Sequence, residues 1–303
     1  MNFFKKWYTY QKERFPVLMY GIYIFAIVFS TYCFVSSLSL HDYQLLHLIG
    51  KNKPFEFEWN VVGIMFIVAF LQFLMVRIVD EFKDYEEDCK YRAYRPVPRG
   101  LISLKELRVL FIICVIIQFS ITAIFCANAI PFLIIVWIFF AIMSKSFFIK
   151  KIVEKHILLE VALDEILMPV LVIYLSIFPL KQIITDKYFY LFLFMTYVIS
   201  WIVEIARKVR CKEDEEKGVK TYTAVFGIKK ATLLLSALEI ILACIQGIIL
   251  KKYNISVVCL ILAVILINIG FITKRNKKFA KLTELSANIY IFLVYFSMGL
   301  LLI

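Results

Sequence analysis

Apolar runs of about 17–25 residues alternate with short charged blocks along the whole chain, and each run is long enough to cross about 30 Å of hydrocarbon as a helix. The pattern predicts nine spans, at roughly 16–38, 59–79, 103–125, 129–144, 157–179, 188–206, 230–250, 254–273 and 284–303. Helices are the expected spanning element, because lipid cannot satisfy unpaired backbone groups and no alternating strand pattern is present. The expected fold is an all-α membrane protein, a single polytopic domain over residues 1–303.

Composition sharpens this. Hydrophobic residues make up 62% of the 303, above the roughly 45–50% of soluble domains, so a soluble globular protein is excluded. A net charge of +12 would suggest nucleic acid in a soluble chain, but topology accounts for it here. With the N-terminus in the cytoplasm and the C-terminus on the outer side, only Lys51, Lys53, Lys181, Lys187, Lys251 and Lys252 fall outside the cytoplasmic segments. The other 29 of the 35 Lys and Arg then lie in the cytoplasmic segments or at the cytoplasmic ends of the spans. The basic, aromatic residues 1–15 read as an interfacial helix, and no cleavable signal is evident before the first span. Seven Cys form no CxxC pair and read as small core residues. His41, His47, Glu56 and Glu58 lie between spans one and two at spacings that fit no metal template.

One stretch breaks the pattern. Asp80, Asp84 and Asp88 recur at i, i+4, i+8, and Glu81, Asp84 and Asp88 at i, i+3, i+7, directly after the second span. Either set puts carboxylates along one helical stripe at a membrane boundary. The bland reading is a solvated helix end paired with Lys83 and Lys90. The sharper one adds Arg92, Arg95 and Arg99 just downstream: carboxylates that collect Mg²⁺ beside arginines that fork onto phosphate make a diphosphate site.

These residues resemble the UbiA-type intramembrane prenyltransferases, whose first signature is N-D-x-x-D-x-x-x-D followed by R-P-x-P-x-G. Asp80 falls on the Asn, Glu81 on the first Asp, Asp84 and Asp88 on the next two, and Arg95-Pro96-Val97-Pro98-Arg99-Gly100 on the tail. The family's second signature is D-x-x-D-x-x-x-D, then Gly and Thr. Anchored on Gly218, Thr221 and Phe226-Gly227, it places Asp214 on the third acid but Arg207 and Arg210 on the first two. This departure leaves two readings. Arg207, Lys208 and Arg210 grip a diphosphate directly with Glu204 nearby, or the chain is a relative without metal-assisted ionisation.

The resemblance implies about nine helices around a central cavity with cytoplasmic cap loops. It implies transfer of an isoprenyl group from an isoprenyl diphosphate to an aromatic or lipid-like acceptor. Mg²⁺ would be held by Asp80, Glu81, Asp84, Asp88 and Asp214, with Arg92, Arg95, Arg99, Glu204, Arg207, Lys208 and Arg210 around the diphosphate. Lys145, in the basic loop after span four, is either positive-inside charge or a further diphosphate contact. Glu160 and Asp164 share a face of span five beside Glu165; they either pair with Lys155 or His156 at the interface or line a substrate cavity. In spans seven to nine, Gln246, Asn268 and Asn288 read as interhelical hydrogen bonds. A rival from another class is a transporter or lipid-binding protein that holds a polyanionic amphiphile without chemistry. A CDP-alcohol transferase is disfavoured, since Ala206-Arg207 lacks the preceding Asp-Gly.

Overall fold

In a computed structural model the described residues are 2–46, 57–153, 155–216, 218–251 and 255–302, and among them all regular structure is helical. His47 and Glu56 lie outside the described residues. The helices are α1 (Phe3–Arg14), α2 (Val17–Leu46), α3 (Trp59–Lys83), α4 (Tyr85–Tyr91), α5 (Leu104–Phe125), α6 (Ile130–Ser144), α7 (Lys150–Val153), α8 (Ile157–Asp164), α9 (Leu167–Leu180), α10 (Lys187–Arg207), α11 (Tyr222–Leu250), α12 (Ile255–Lys274) and α13 (Lys277–Leu302). Nine segments of the described chain are long and apolar enough to cross a membrane, with α8 and α9 forming the fifth together. The all-α, nine-span expectation holds. Spans seven and nine begin earlier than expected, at Tyr222 and Lys277, because the helices continue through polar residues such as Lys229, Lys230 and Lys281.

Local chemistry sets the helix ends. Ser103 caps α5 with Glu106 in a reciprocal capping box, Asp186 accepts from the Tyr188 and Phe189 amides at the start of α10, and Thr221 accepts from the Ala224 amide at 3.0 Å at the start of α11. A proline in the first turn of α6 suits a position whose N–H has no helical partner. Gly227 interrupts α11 with φ 78° and ψ 156°, a conformation essentially confined to glycine.

The chain forms two compact units. In the first, Met1–Lys150 with Ile173–Ile183, α3 packs on α2, α5 and α6. Gln118 bridges them at depth: its Nε2 donates to the Val68 carbonyl at 3.0 Å, and its Oε1 accepts from Trp137 Nε1 at 2.9 Å. α1 lies across this unit with Tyr10 buried against Ile78, Val97, Ile102 and Leu107, and with Phe3, Phe4 and Tyr8 exposed. That amphipathic split agrees with an interfacial helix.

In the second unit, Lys151–Val172 with Ile184–Ile303, α10 and α11 pack together, and α11, α12 and α13 form a three-helix layer. Gln246 Nε2 donates to Ser297 Oγ at 2.8 Å and Asn268 bonds α11, so both make the expected interhelical bonds, whereas Asn288 is exposed. All seven Cys are free; Cys33, Cys114, Cys126 and Cys211 are buried, while Cys89, Cys244 and Cys259 are exposed.

Candidate functional site

The acidic stripe forms because the helix scarcely breaks. Asp84 caps α3 and opens α4 in helical conformation, and the backbone bonds Asp84 N to Asp80 O (2.9 Å) and Asp88 N to Asp84 O (2.8 Å) run through it. Asp80, Asp84 and Asp88 therefore stand on successive turns of one face. Their environments differ. Asp88 is 1% exposed and Asp84 is half-buried. Arg95 Nη1 donates to Asp88 Oδ2 at 2.6 Å, and Arg92 Nε stands 2.9 Å from Asp88 Oδ1, off the direction of a hydrogen bond.

Glu81, also 1% exposed, faces inward. It bonds Arg14 of α1 and lies 3.6 Å from Arg77 Nη2, while Arg77 Nη1 reaches Asp80 Oδ2 at 3.4 Å. Burial, with Arg77 alongside, pushes the Arg14 guanidinium below its ordinary value. Burial pushes the Tyr10 hydroxyl far up, with the Glu81 charge adding to it.

The Arg95–Gly100 tail folds as a turn. Gly100 adopts φ +75°, and its amide bonds the Val97 carbonyl at 3.0 Å. Pro96 and Val97 are buried, which anchors the loop beneath its arginines. Arg99 turns away from the acidic stripe: it holds Glu13 of α1 at 2.8 Å and the Tyr94 carbonyl at 2.8 Å. A cleft lined by Val79, Phe82, Lys83, Ser144 and Lys145 brings Lys145 beside the end of α3. Another cleft, between Glu58, Ile64, Phe125, Phe178 and Lys181, lies at the far end of α3, away from the charged loops.

Mg²⁺ takes oxygen ligands, keeps several waters and uses one or two protein carboxylates beside substrate phosphate. Asp80 and Asp84, partly exposed and one turn apart, fit that demand, and Glu81 Oε2 is a buried oxygen without a hydrogen bond. The other Glu81 oxygen and the Asp88 carboxylate already face arginines, and Asp80 Oδ2 has Arg77 Nη1 at 3.4 Å. No group of three metal-ligating side chains converges among the described residues.

In the second unit, Glu204 near the end of α10 holds Arg207 Nη2 and Lys208 Nζ, each at 2.5 Å. Arg210 reaches Glu216 Oε1 at 3.3 Å and the Asp214 carbonyl at 3.4 Å. Asp214 pairs with Lys277 Nζ at 2.5 Å, and that bond, aided by Cys211, holds its carboxyl below the usual carboxylate range. Glu215 accepts from Thr221 and Thr223, both at 2.7 Å, tying the loop to the first turn of α11.

Glu160 and Asp164 do share a face of α8. The helix breaks just after them, at Glu165, which lies beside Ser200 of α10. Glu160, Glu165 and Glu204 all lie within electrostatic reach of the buried Tyr222. Neither Glu165 nor Tyr222 is among the site residues expected from the sequence, nor are Arg14 and Arg77 expected from it as partners of the acidic stripe. Arg14 is 67 residues from Glu81, and only tertiary structure joins them.

In fold the chain is similar to a digeranylgeranylglyceryl phosphate synthase in membranes, at 18% identity and a TM-score of 0.59, covering 97% of this chain and 99% of that one. It is also similar to a UbiA homolog from Aeropyrum pernix K1 solved in its apo form, at 15% identity and a TM-score of 0.61, covering 88% and 94%. No curated protein matches it in sequence. The model of the UbiA prenyltransferase family matches residues 51–293, more than half of the chain, and the chain belongs to that family.

Proposed function

We propose that this protein is a Mg²⁺-assisted, membrane-embedded transferase that moves an isoprenyl group from an isoprenyl diphosphate to an aromatic or lipid-like acceptor. The whole chain works as one domain, with its N-terminus and charged loops cytoplasmic and its C-terminus outside. The observation that carries this reading is the end of α3. Asp80 and Asp84 stand there on one face, beside an arginine pair buried on Asp88 and a lysine-lined cleft.

In this reading Asp80 and Asp84 hold the Mg²⁺. When bound, the ion supplies positive charge to the diphosphate oxygens as they leave. Glu81 and Asp88 orient Arg14, Arg77, Arg92 and Arg95, whose remaining N–H groups present positive charge toward the phosphate. Lys145 adds a charge from across its cleft, and Arg207, Lys208 and Arg210 supply the cations of the second loop, with Asp214 fixing that loop through Lys277. The bond between the allylic carbon and the diphosphate oxygen breaks, and its electron pair leaves with the diphosphate. The acceptor's nucleophilic atom forms the new bond to that carbon and gives up its proton. The apolar interior shields the allylic cation from water.

The test is isoprenyl transfer by purified protein in detergent, with Mg²⁺, geranylgeranyl diphosphate and a panel of phenolic and glycerol-lipid acceptors. Product should form and should disappear in the Asp80→Asn, Asp84→Asn double variant. Transfer that survives in that variant would overturn the metal assignment. Tight binding of the diphosphate with no product from any acceptor would favour the holder of a polyanionic amphiphile instead.

A further inference from the structure

Deep in its span, α11 carries one acid among mostly apolar residues. Glu239 is 0% exposed, and it lies eleven residues before the end of its span at Leu250. Asn268 of α12, 1% exposed, lies eleven residues after the start of its span at Val257. At 1.5 Å per residue both sit about 16 Å from a span end, close to the middle of the bilayer. Among the described residues no lysine or arginine forms an ion pair with Glu239. Its surroundings are neutral: Asn268 Nδ2 donates to Glu239 Oε2 at 2.7 Å and to Ser236 Oγ at 2.9 Å, and the Tyr290 hydroxyl of α13 donates to the Glu239 carbonyl at 3.1 Å.

Two atoms are left over. Glu239 Oε1 and Asn268 Oδ1 are both buried and both lack a hydrogen-bond partner. They are the second atoms of the carboxyl and carboxamide groups that already share one bond, and both are acceptors, so without a hydrogen neither can satisfy the other. Asn268 has no third amide hydrogen to offer, since both of its own are used. A metal ion would need a fuller oxygen shell than these atoms provide.

A single proton resolves both orphans. We infer that Glu239 and Asn268 form a membrane-buried proton-binding site, in which a Glu239 O–H donates to Asn268 Oδ1 while Asn268 Nδ2 donates to the other Glu239 oxygen. The result is a closed acid–amide pair that leaves the carboxyl uncharged at membrane depth and pins α11 to α12, with Tyr290 tying α13 to the same turn. This site takes no part in the transfer chemistry proposed above, and it stands or falls independently of it.

Infrared difference spectroscopy of the purified full chain at neutral pH tests the pair. Wild type minus Glu239→Gln should show a protonated-carboxyl C=O band that the variant has lost. Gln can make the same two bonds as a neutral isostere, so the helices should remain associated. Asn268→Leu should keep the band and shift it, because the acid loses its acceptor. Loss of carboxylate-stretch intensity in Glu239→Gln, with no change in the protonated region, would overturn the inference. If Glu239→Gln does not fold, Asn268→Leu decides alone, since an unshifted carboxyl region overturns it equally.

Discussion

Asp88 Oδ2 accepts from Arg95 Nη1 at 2.6 Å while Arg92 Nε stands 2.9 Å from the other oxygen, so one buried carboxylate organises two guanidinium groups. Asp88 is 1% exposed, and neither arginine is open to water at more than 19%. Removing the acid leaves Arg95 without its ion-pair partner and Arg92 with only Glu87, 3.5 Å away, in a poorly solvated site. Breaking a buried pair from one side costs roughly 3–5 kcal/mol. Asp88→Ala should therefore lose about that much stability in denaturant or thermal unfolding in detergent. Arg99→Ala, which breaks a pair whose side chains are 36% and 38% exposed, should lose under about 1 kcal/mol. Equal losses would show that Asp88 is not the organising centre.

α1 is fixed to the same loop from outside. Lys6 pairs with Glu106, Glu13 with Arg99 and Arg14 with Glu81, while Tyr10 fills the hydrophobic contact between them. Only the Arg14 pair is buried on both sides, at 9% and 1% exposure. Arg14→Ala should accordingly destabilise the first unit by about 3–5 kcal/mol, and Lys6→Ala by about 1 kcal/mol or less. Arg14→Ala combined with Glu81→Leu should recover part of the loss, because it also removes the buried carboxylate while Arg77 keeps Asp80. A double variant no more stable than Arg14→Ala would count against the pair as the cause.

Gly227 breaks α11 in a backbone conformation that L side chains rarely adopt, and a Cβ there would meet no atom within 4 Å. The cost of substitution is thus conformational and not steric. Gly227→Ala should destabilise by about 1–3 kcal/mol without a packing defect, and it should rotate the Tyr222–Phe226 turn against the rest of the helix. Protease accessibility of the 208–221 loop is a convenient readout, with faster cleavage expected in the variant.

The nine spans were legible because bilayer thickness sets a minimum apolar run, and the acidic stripe because helical spacing alone puts i and i+4 together. What escaped was long-range. Glu81 and Asp88 read as metal ligands from their spacing alone, and nothing local announces that Arg14, on another helix, reaches Glu81. Asn268 was legible as an interhelical hydrogen bond, but Glu239 was passed over because a lone acid has no periodic signature and its partner lies 29 residues on. The start of span seven was placed late for a related reason: Lys229 and Lys230 interrupt the hydropathy although the helix runs through them.

Asp214 offers a pH test outside the spans. Its bond to Lys277 lowers its folded value beneath the ordinary carboxylate range. With the folded value below an unfolded one of about 3.9, the pair's contribution is complete above that pH and is lost as pH falls through the lowered value. Wild type should therefore melt above Asp214→Asn near neutral pH, with the gap closing only below about pH 4. Lys277 is 56% exposed, so salt should narrow the gap as well. A gap that is indifferent to both would show that the pair contributes nothing to the loop. A gap that Mg²⁺ alone enlarges at constant ionic strength would make Asp214 a metal ligand and not merely the partner of Lys277.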